Sequence, residues 1–170
     1  MTDLKAHIRI LPDHPKPGIL FYDIGTLLAH GGAWKTTIDR IATKLKPLHP
    51  DKLIGIESRG FLVSAAVAAQ LGIGLAMIRK RGKLPGRVLS RSYALEYGED
   101  VIEMQEGILN AGERVVLCDD LLATGGTAEA ALGLVRQAGG EIIHAAFVIE
   151  LENLNGRARL DVPISSLVQF

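Results

Sequence analysis

RVVLCDDLLATGGT, residues 114–127, decides the fold of this chain. Val115, Val116, Leu117 and Cys118 form an unbroken apolar run, the pattern of a central strand covered on both faces. Asp119 and Asp120 follow at its carboxyl end. The stretch Ala123-Thr124-Gly125-Gly126-Thr127 then leads into AEAALGLVRQA, whose apolar residues recur at helical spacing. Open α/β sheets bind ligands outside the carboxyl ends of their strands, so the acids face a site. Free backbone N–H groups at the helix start, backed by the helix dipole, favour an anion. Gly125 and Gly126 allow the main chain to approach it, and Thr124 and Thr127 add hydroxyls. Adjacent ionised carboxylates repel and resist burial, which calls for a metal, a cation or a set of hydroxyl donors nearby. A ribose diol meets that need. The plainer alternative is a polar turn capping an ordinary helix.

The same order repeats upstream. Residues 52–56 read as a strand, 60–71 as an apolar helix stopped by Gly72, and 74–78 as a second strand. After the strand at 114–118 come a helix over 126–138, a stop at Gly139-Gly140 and a strand over 142–149. Residues 164–168 offer a last short strand. This alternation predicts an α/β fold with a mostly parallel twisted sheet and helices on both faces. Residues 3–10 suggest a short helix. Residues 33–45 suggest an amphipathic one, with Ile38, Ile41, Ala42 and Leu45 on one side.

The 170 residues, 48% hydrophobic, suffice for one substantial core, and no linker or internal repeat divides them. A single domain over residues 1–170 is expected. Its 19 Lys and Arg balance 19 Asp and Glu. No global field therefore draws the chain to nucleic acid or an anionic membrane, and small-molecule partners are expected. One cysteine cannot form an internal disulfide, and Cys118 reads as a small core residue. The N-terminus has no signal-peptide pattern, and no run reaches about 18 apolar residues. A soluble, cytoplasmic protein is the expectation. His7, His14, His30, His49 and His144 lack ligand spacing, so zinc is not expected.

Three further stretches carry chemistry. Gly55-Ile56-Glu57-Ser58-Arg59-Gly60 again joins a strand end to a helix start; Arg59 offers a planar fork matched to phosphate oxygens, although a solvated charged turn reads equally well. Residues 79–91, RKRGKLPGRVLSR, carry six cations and no acid. Gly82, Pro85 and Gly86 argue for a mobile loop there, and the acids that follow weaken a nucleic-acid reading. Residues 15–24, PKPGILFYDI, have too many breakers for a helix and too many apolar residues for a solvated loop. Phe21 could stack on a purine whose edge pairs with main-chain groups at Leu20 and Tyr22, or could simply pack in the core.

VVLCDDLLATGGT resembles the phosphoribosyl-pyrophosphate motif of the type I phosphoribosyltransferases. ESRGF, RKxGKLPG followed by SYxLEYG, and PKPGILFYDI resemble the adenine-specific branch of that family. The resemblance implies its fold, with a base-binding hood over about residues 1–30 and a flexible catalytic loop over about 79–98 that includes Tyr97. It implies transfer of a 5-phosphoribosyl group from phosphoribosyl pyrophosphate to adenine, giving AMP and pyrophosphate, by a homodimer using Mg2+ held mainly by substrate oxygens and water. Asp119 and Asp120 would hold the ribose hydroxyls, and residues 123–127 the 5′-phosphate. Glu57, Ser58, Arg59, Lys80, Lys83 and Arg87 would bind pyrophosphate. Leu20, Phe21, Tyr22 and Leu151 would bind adenine, and Glu96 would assist loss of a ring proton. The hood departs from the family pattern at Gly25-Thr26 and at Tyr22. Two alternatives stand beside this reading: an enzyme for 6-oxopurines, and a non-catalytic regulator that senses nucleotide or phosphoribosyl pyrophosphate.

Overall fold

The computed structural model describes residues 2–94 and 99–170. A small hairpin comes first, β1 (Arg9–Leu11) against β2 (Phe21–Asp23), followed by α1 (Ile24–Ala29) and α2 (Gly31–Leu45). The main sheet then builds from β3 (Lys52–Ile56), β4 (Gly74–Lys80), β5 (Val88–Ala94), β6 (Glu99–Gln105), β7 (Arg114–Leu122), β8 (Glu141–Glu150) and β9 (Ile164–Gln169). Helix α3 (Gly60–Leu71) connects β3 to β4, and α4 (Gly126–Gln137) connects β7 to β8. The strand order is β5-β6-β4-β3-β7-β8-β9. The five strands from β4 to β9 in that order are parallel, and β6 and β5 add an antiparallel edge.

The apolar run of β7 is continuous because both of its faces are covered. Val116 and Cys118 join Leu53, Val63, Val67 and the α2 residues Ile38, Ile41 and Leu45 on one side. Val115 and Leu117 join Ile54, Ala131, Leu134 and Val135 of α4 on the other. Burying each such Leu, Ile or Val stabilises the fold by about 1.5–3 kcal/mol relative to exposure. Among the described residues no helix is long and apolar enough to cross a membrane.

Several elements differ from the sequence expectation. Residues 3–10 are not one helix: Lys5–His7 is a single 3-10 turn, and the chain then extends into β1. Leu4 and Ile8 are buried at helical spacing, but Ile10 pairs with Tyr22, and the hairpin partner takes the backbone hydrogen bonds. Strand β7 does not stop at Cys118. It continues through both acids to Leu122 because β8 runs alongside, pairing Leu121 with Ile149 and Leu122 with Glu150. The cationic stretch is irregular only over residues 81–87, where Gly82 and Gly86 both take a φ of 76°. Beyond it, Val88–Ala94 is a strand paired with β6, with Leu89 and Tyr93 packed on the α4-side core. The signal for this strand is faint, since polar residues 90–92 separate the two apolar positions Leu89 and Tyr93, and the glycines and proline before it mask it further. Helix α1 has no counterpart in the sequence expectation. Asp23 caps it by accepting a 2.9 Å hydrogen bond from the Gly25 N–H.

Candidate active site

Strands β3 and β7 are parallel neighbours, with Gly55 opposite Cys118, so their carboxyl ends open on one rim. The turns that follow them enclose a cavity of about 450 Å³ lined by residues 56–59 and 119–128. The two turns touch at Gly60. A Cβ there would collide with the Asp119 carboxylate and lie 3.3 Å from the Asp119 Cα, so only glycine lets α3 start this close to β7. The Glu57–Ser58 peptide bond in the first turn is cis.

The two acids sit in different environments. Asp119 Oδ1 accepts a 2.9 Å hydrogen bond from the Asp120 N–H. Burial, reinforced by the charge of Asp120, pushes the Asp119 carboxyl well above the usual carboxylate range. Asp120 is buried and forms a 2.7 Å ion pair from its Oδ2 to Nε of Arg59. A buried charge without such a partner would cost several kcal/mol. The Arg59 guanidinium also lies 5.5 Å from the centre of the Phe21 ring, a cation–π approach that ties the hairpin to the cavity.

Gly125 precedes α4 with a φ of 83°, a left-handed conformation that favours glycine. Its carbonyl accepts from the Glu129 N–H at 2.8 Å, which closes the first helical turn. The earlier N–H groups of α4 have no partner within the helix and are available to a ligand. Thr124, Gly126 and Thr127 line the cavity with them.

Leu20, Phe21, Tyr22 and Leu151 are not among the cavity-lining residues. Leu20 is exposed, Phe21 is half-buried with the His14 ring edge-on at 5.0 Å, and the Tyr22 ring packs at 4.4 Å on Phe170. Leu151 donates its N–H to the Leu122 carbonyl at 2.9 Å. The expected pyrophosphate group divides in two. Glu57, Ser58 and Arg59 line the cavity, whereas Lys80, Lys83 and Arg87 do not. Lys80 pairs with Asp100 at 3.1 Å, and Arg87 with Glu106 at 3.1 Å. The Lys83 carbonyl accepts from Arg79 at 3.1 Å. Arg79 also pairs with Glu57 at 3.1 Å. Burial works to raise Glu57, but hydrogen bonds from the Lys80 N–H and from Arg79 outweigh it and hold the carboxyl below its ordinary value. Glu96 and Tyr97 lie outside the described residues. Among the described residues no three His, Cys, Asp or Glu side chains are grouped to hold a metal.

The phosphoribosyl transferase domain model matches residues 27–167. An adenine phosphoribosyltransferase of Rhodospirillum centenum is 55% identical over 168 residues, covering 99% of this chain and 98% of the relative. The chain belongs to the adenine phosphoribosyltransferase family. Two solved adenine phosphoribosyltransferases superpose closely. That of Rhodothermus marinus has a TM-score of 0.93 at 45% identity, covering 98% of this chain and 96% of its own. That of Saccharomyces cerevisiae, complexed with an imino-altritol bisphosphate and adenine, has a TM-score of 0.93 at 38% identity, covering 96% of each chain.

Sequence reasoning passed over one residue that supports this cavity. Gly156, in the 3-10 turn Gly156–Arg159, is buried directly behind the turn that opens α4. Its only trace in the sequence is an Asn-Gly pair after β8, a common turn signal that says nothing about what the turn packs against.

Proposed function

We propose that the cavity carries out transfer of a 5-phosphoribosyl group from phosphoribosyl pyrophosphate to adenine, releasing AMP and pyrophosphate in purine salvage. The observation that carries this reading is that two strand-to-helix turns, 57–59 and 123–127, line one cavity together with Asp119 and Asp120. The 5′-phosphate sits on the free N–H groups of α4, with Thr124 and Thr127 donating hydroxyls. The ribose hydroxyls lie on the acids, where the buried Asp119 and the Arg59-paired Asp120 offer unlike partners. The C1′–O bond to pyrophosphate breaks as the C1′–N9 bond to adenine forms. Positive charge on the ribosyl ring is stabilised by the acids, and negative charge on the leaving group by Arg59 and the 57–59 turn, with Lys80, Lys83 and Arg87 brought in from the β4–β5 segment. No protein nucleophile is needed. The N9 proton passes to a base, a role assigned here to Glu96.

Adenine stacks against Phe21 after Arg59 turns to the pyrophosphate, with main-chain groups of Leu20 and Tyr22 on its edge and Leu151 on its other face. The donor set suits a metal that arrives with its substrate: two carboxylates at the cavity floor, with no third acid or histidine grouped beside them among the described residues. When bound, Mg2+ neutralises charge on the pyrophosphate oxygens. A homodimer and a cytoplasmic location belong to the same proposed reading, with Leu62 of α3 and Met77 of β4 as exposed apolar residues available to a second copy.

The test is nucleotide formation from phosphoribosyl pyrophosphate with adenine, hypoxanthine, xanthine and guanine in parallel. Adenine alone should yield product. Turnover of a 6-oxopurine in preference to adenine would reassign the base, and phosphoribosyl pyrophosphate binding without turnover of any base would make the chain a regulator.

A further inference from the structure

Behind the 123–127 turn lies a second layer that does not line the cavity. A Cβ on Gly156 would run into the Ala123 carbonyl oxygen and lie 2.9 Å from the Gly125 nitrogen, and a Cβ on Gly125 would lie 2.5 Å from the Gly156 carbonyl oxygen. The main chains at 123–125 and at 156 are therefore pressed back to back, with no side chain between them. Motion of either turn moves the other.

The Gly156 turn is held from the far side. Arg157 grips Glu150 with both prongs of its guanidinium, Nε to Oε1 at 2.9 Å and Nη2 to Oε2 at 2.5 Å, and its Nη1 reaches the Ile164 carbonyl at 3.2 Å. Ser166 of β9 donates to Glu150 Oε2 at 2.6 Å. Glu150 is almost fully buried at the end of β8. The Arg157 fork, against the opposing effect of burial, holds the Glu150 carboxyl below its ordinary value, so the pair is charged on both sides. A bidentate arginine–carboxylate pair fixes orientation as well as distance. The closed segment 150–157 thereby joins two strands of the sheet to the back of the phosphate turn.

We propose that Glu150, Arg157 and Gly156 are positioning residues for the 5′-phosphate, acting through the 123–125 main chain rather than by contact with substrate. The inference rests on the reading that the 5′ group occupies the 123–127 bend. Binding by backbone N–H groups demands a fixed backbone: a shift of a few tenths of an ångström spreads over every donor at once, and preorganisation of the supporting layer removes that cost before the ligand arrives.

The experiment is calorimetric titration of ribose 5-phosphate, with steady-state kinetics and pyrophosphate product inhibition, on the full chain and on Thr127→Ala, Arg157→Met, Arg157→Lys and Ser166→Ala. Arg157→Met should weaken ribose 5-phosphate about tenfold and raise the KM for phosphoribosyl pyrophosphate to match. Its kcat and its inhibition by pyrophosphate should stay within about threefold of the parent. Arg157→Lys should recover part of the lost affinity. Should Arg157→Met fail to fold, Ser166→Ala, which removes one hydrogen bond to Glu150, should give a smaller loss with the same selectivity for the phosphate end. If the Arg157 and Ser166 variants lower Tm yet bind ribose 5-phosphate as the parent does, while Thr127→Ala weakens it, the positioning role is wrong and the site reading stands. If the parent binds no ribose 5-phosphate and Thr127→Ala changes nothing, the site reading itself fails.

Discussion

Asp119 is the residue at which stability and function oppose each other. Its folded carboxyl holds a proton to higher pH than the unfolded one, so its contribution to stability is present at low pH and is lost as pH rises through the raised value. An asparagine in its place cannot ionise and keeps an oxygen for the Asp120 N–H. Asp119→Asn should therefore raise Tm at pH 7 while reducing kcat/KM at least a hundredfold; a lower Tm with activity retained would remove Asp119 from the site. Gly60→Ala should cost activity by another route. The new methyl displaces the Asp119 carboxylate and presses on backbone, and at least a tenfold fall in kcat/KM is expected. Cys118 lies under the same acids, where burial pushes its thiol far up. Iodoacetamide should leave the native protein unlabelled and its activity intact, and should label it only in denaturant, because the thiolate is the reactive form.

Glycines in the two connecting helices respond differently because their neighbours differ. A Cβ on Gly133 of α4 would meet first the guanidinium end of Arg91 from β5, an exposed side chain that can swing aside, whereas helix propensity gains up to about 1 kcal/mol from Ala. Gly133→Ala should leave the urea midpoint unchanged or slightly raised; a large drop would show that Arg91 is held in place. The elements were legible where one pattern ruled. Strands β3 and β7 and helices α3 and α4 were readable because apolar runs end at glycine or at polar turns. The length of β7 was not, because pairing with β8 carries two aspartates into a strand that their own propensity disfavours. Strand β5 was hidden behind breakers that belong to the preceding turn. At the cavity, the grouping of the acids with the 123–127 turn was legible because they are consecutive residues at one strand end. The Gly156 turn was not, since its role arises from a backbone contact across some 30 positions of chain.

For the molecule as a whole, pH acts in two opposed ways. Asp23, Glu57, Asp100, Glu113 and Glu150 all have folded carboxyls below their ordinary values, held there against burial by arginine, lysine or backbone N–H partners. Their stabilising contribution is complete above the ordinary carboxylate range near about 4 and is lost as pH falls through the lower folded values. Asp119 works in reverse. Urea midpoints measured from about pH 8 down to about pH 3 should first rise as Asp119 takes up its proton and then fall as the paired acids titrate. In Asp119→Asn the rise should vanish and the fall persist; a monotonic decline in the parent would contradict the raised carboxyl.

The shared rim of β3 and β7 carries one more consequence. Adjacent strands stand about 4.8 Å apart whatever their side chains, so the roots of the two turns are spaced by the sheet itself. On the proposed function, the protein gauges reach as well as charge, like a caliper with one jaw on each helix. A sugar bisphosphate longer by a single carbon should find one jaw or the other, and compete with substrate far less well than its charge alone would suggest.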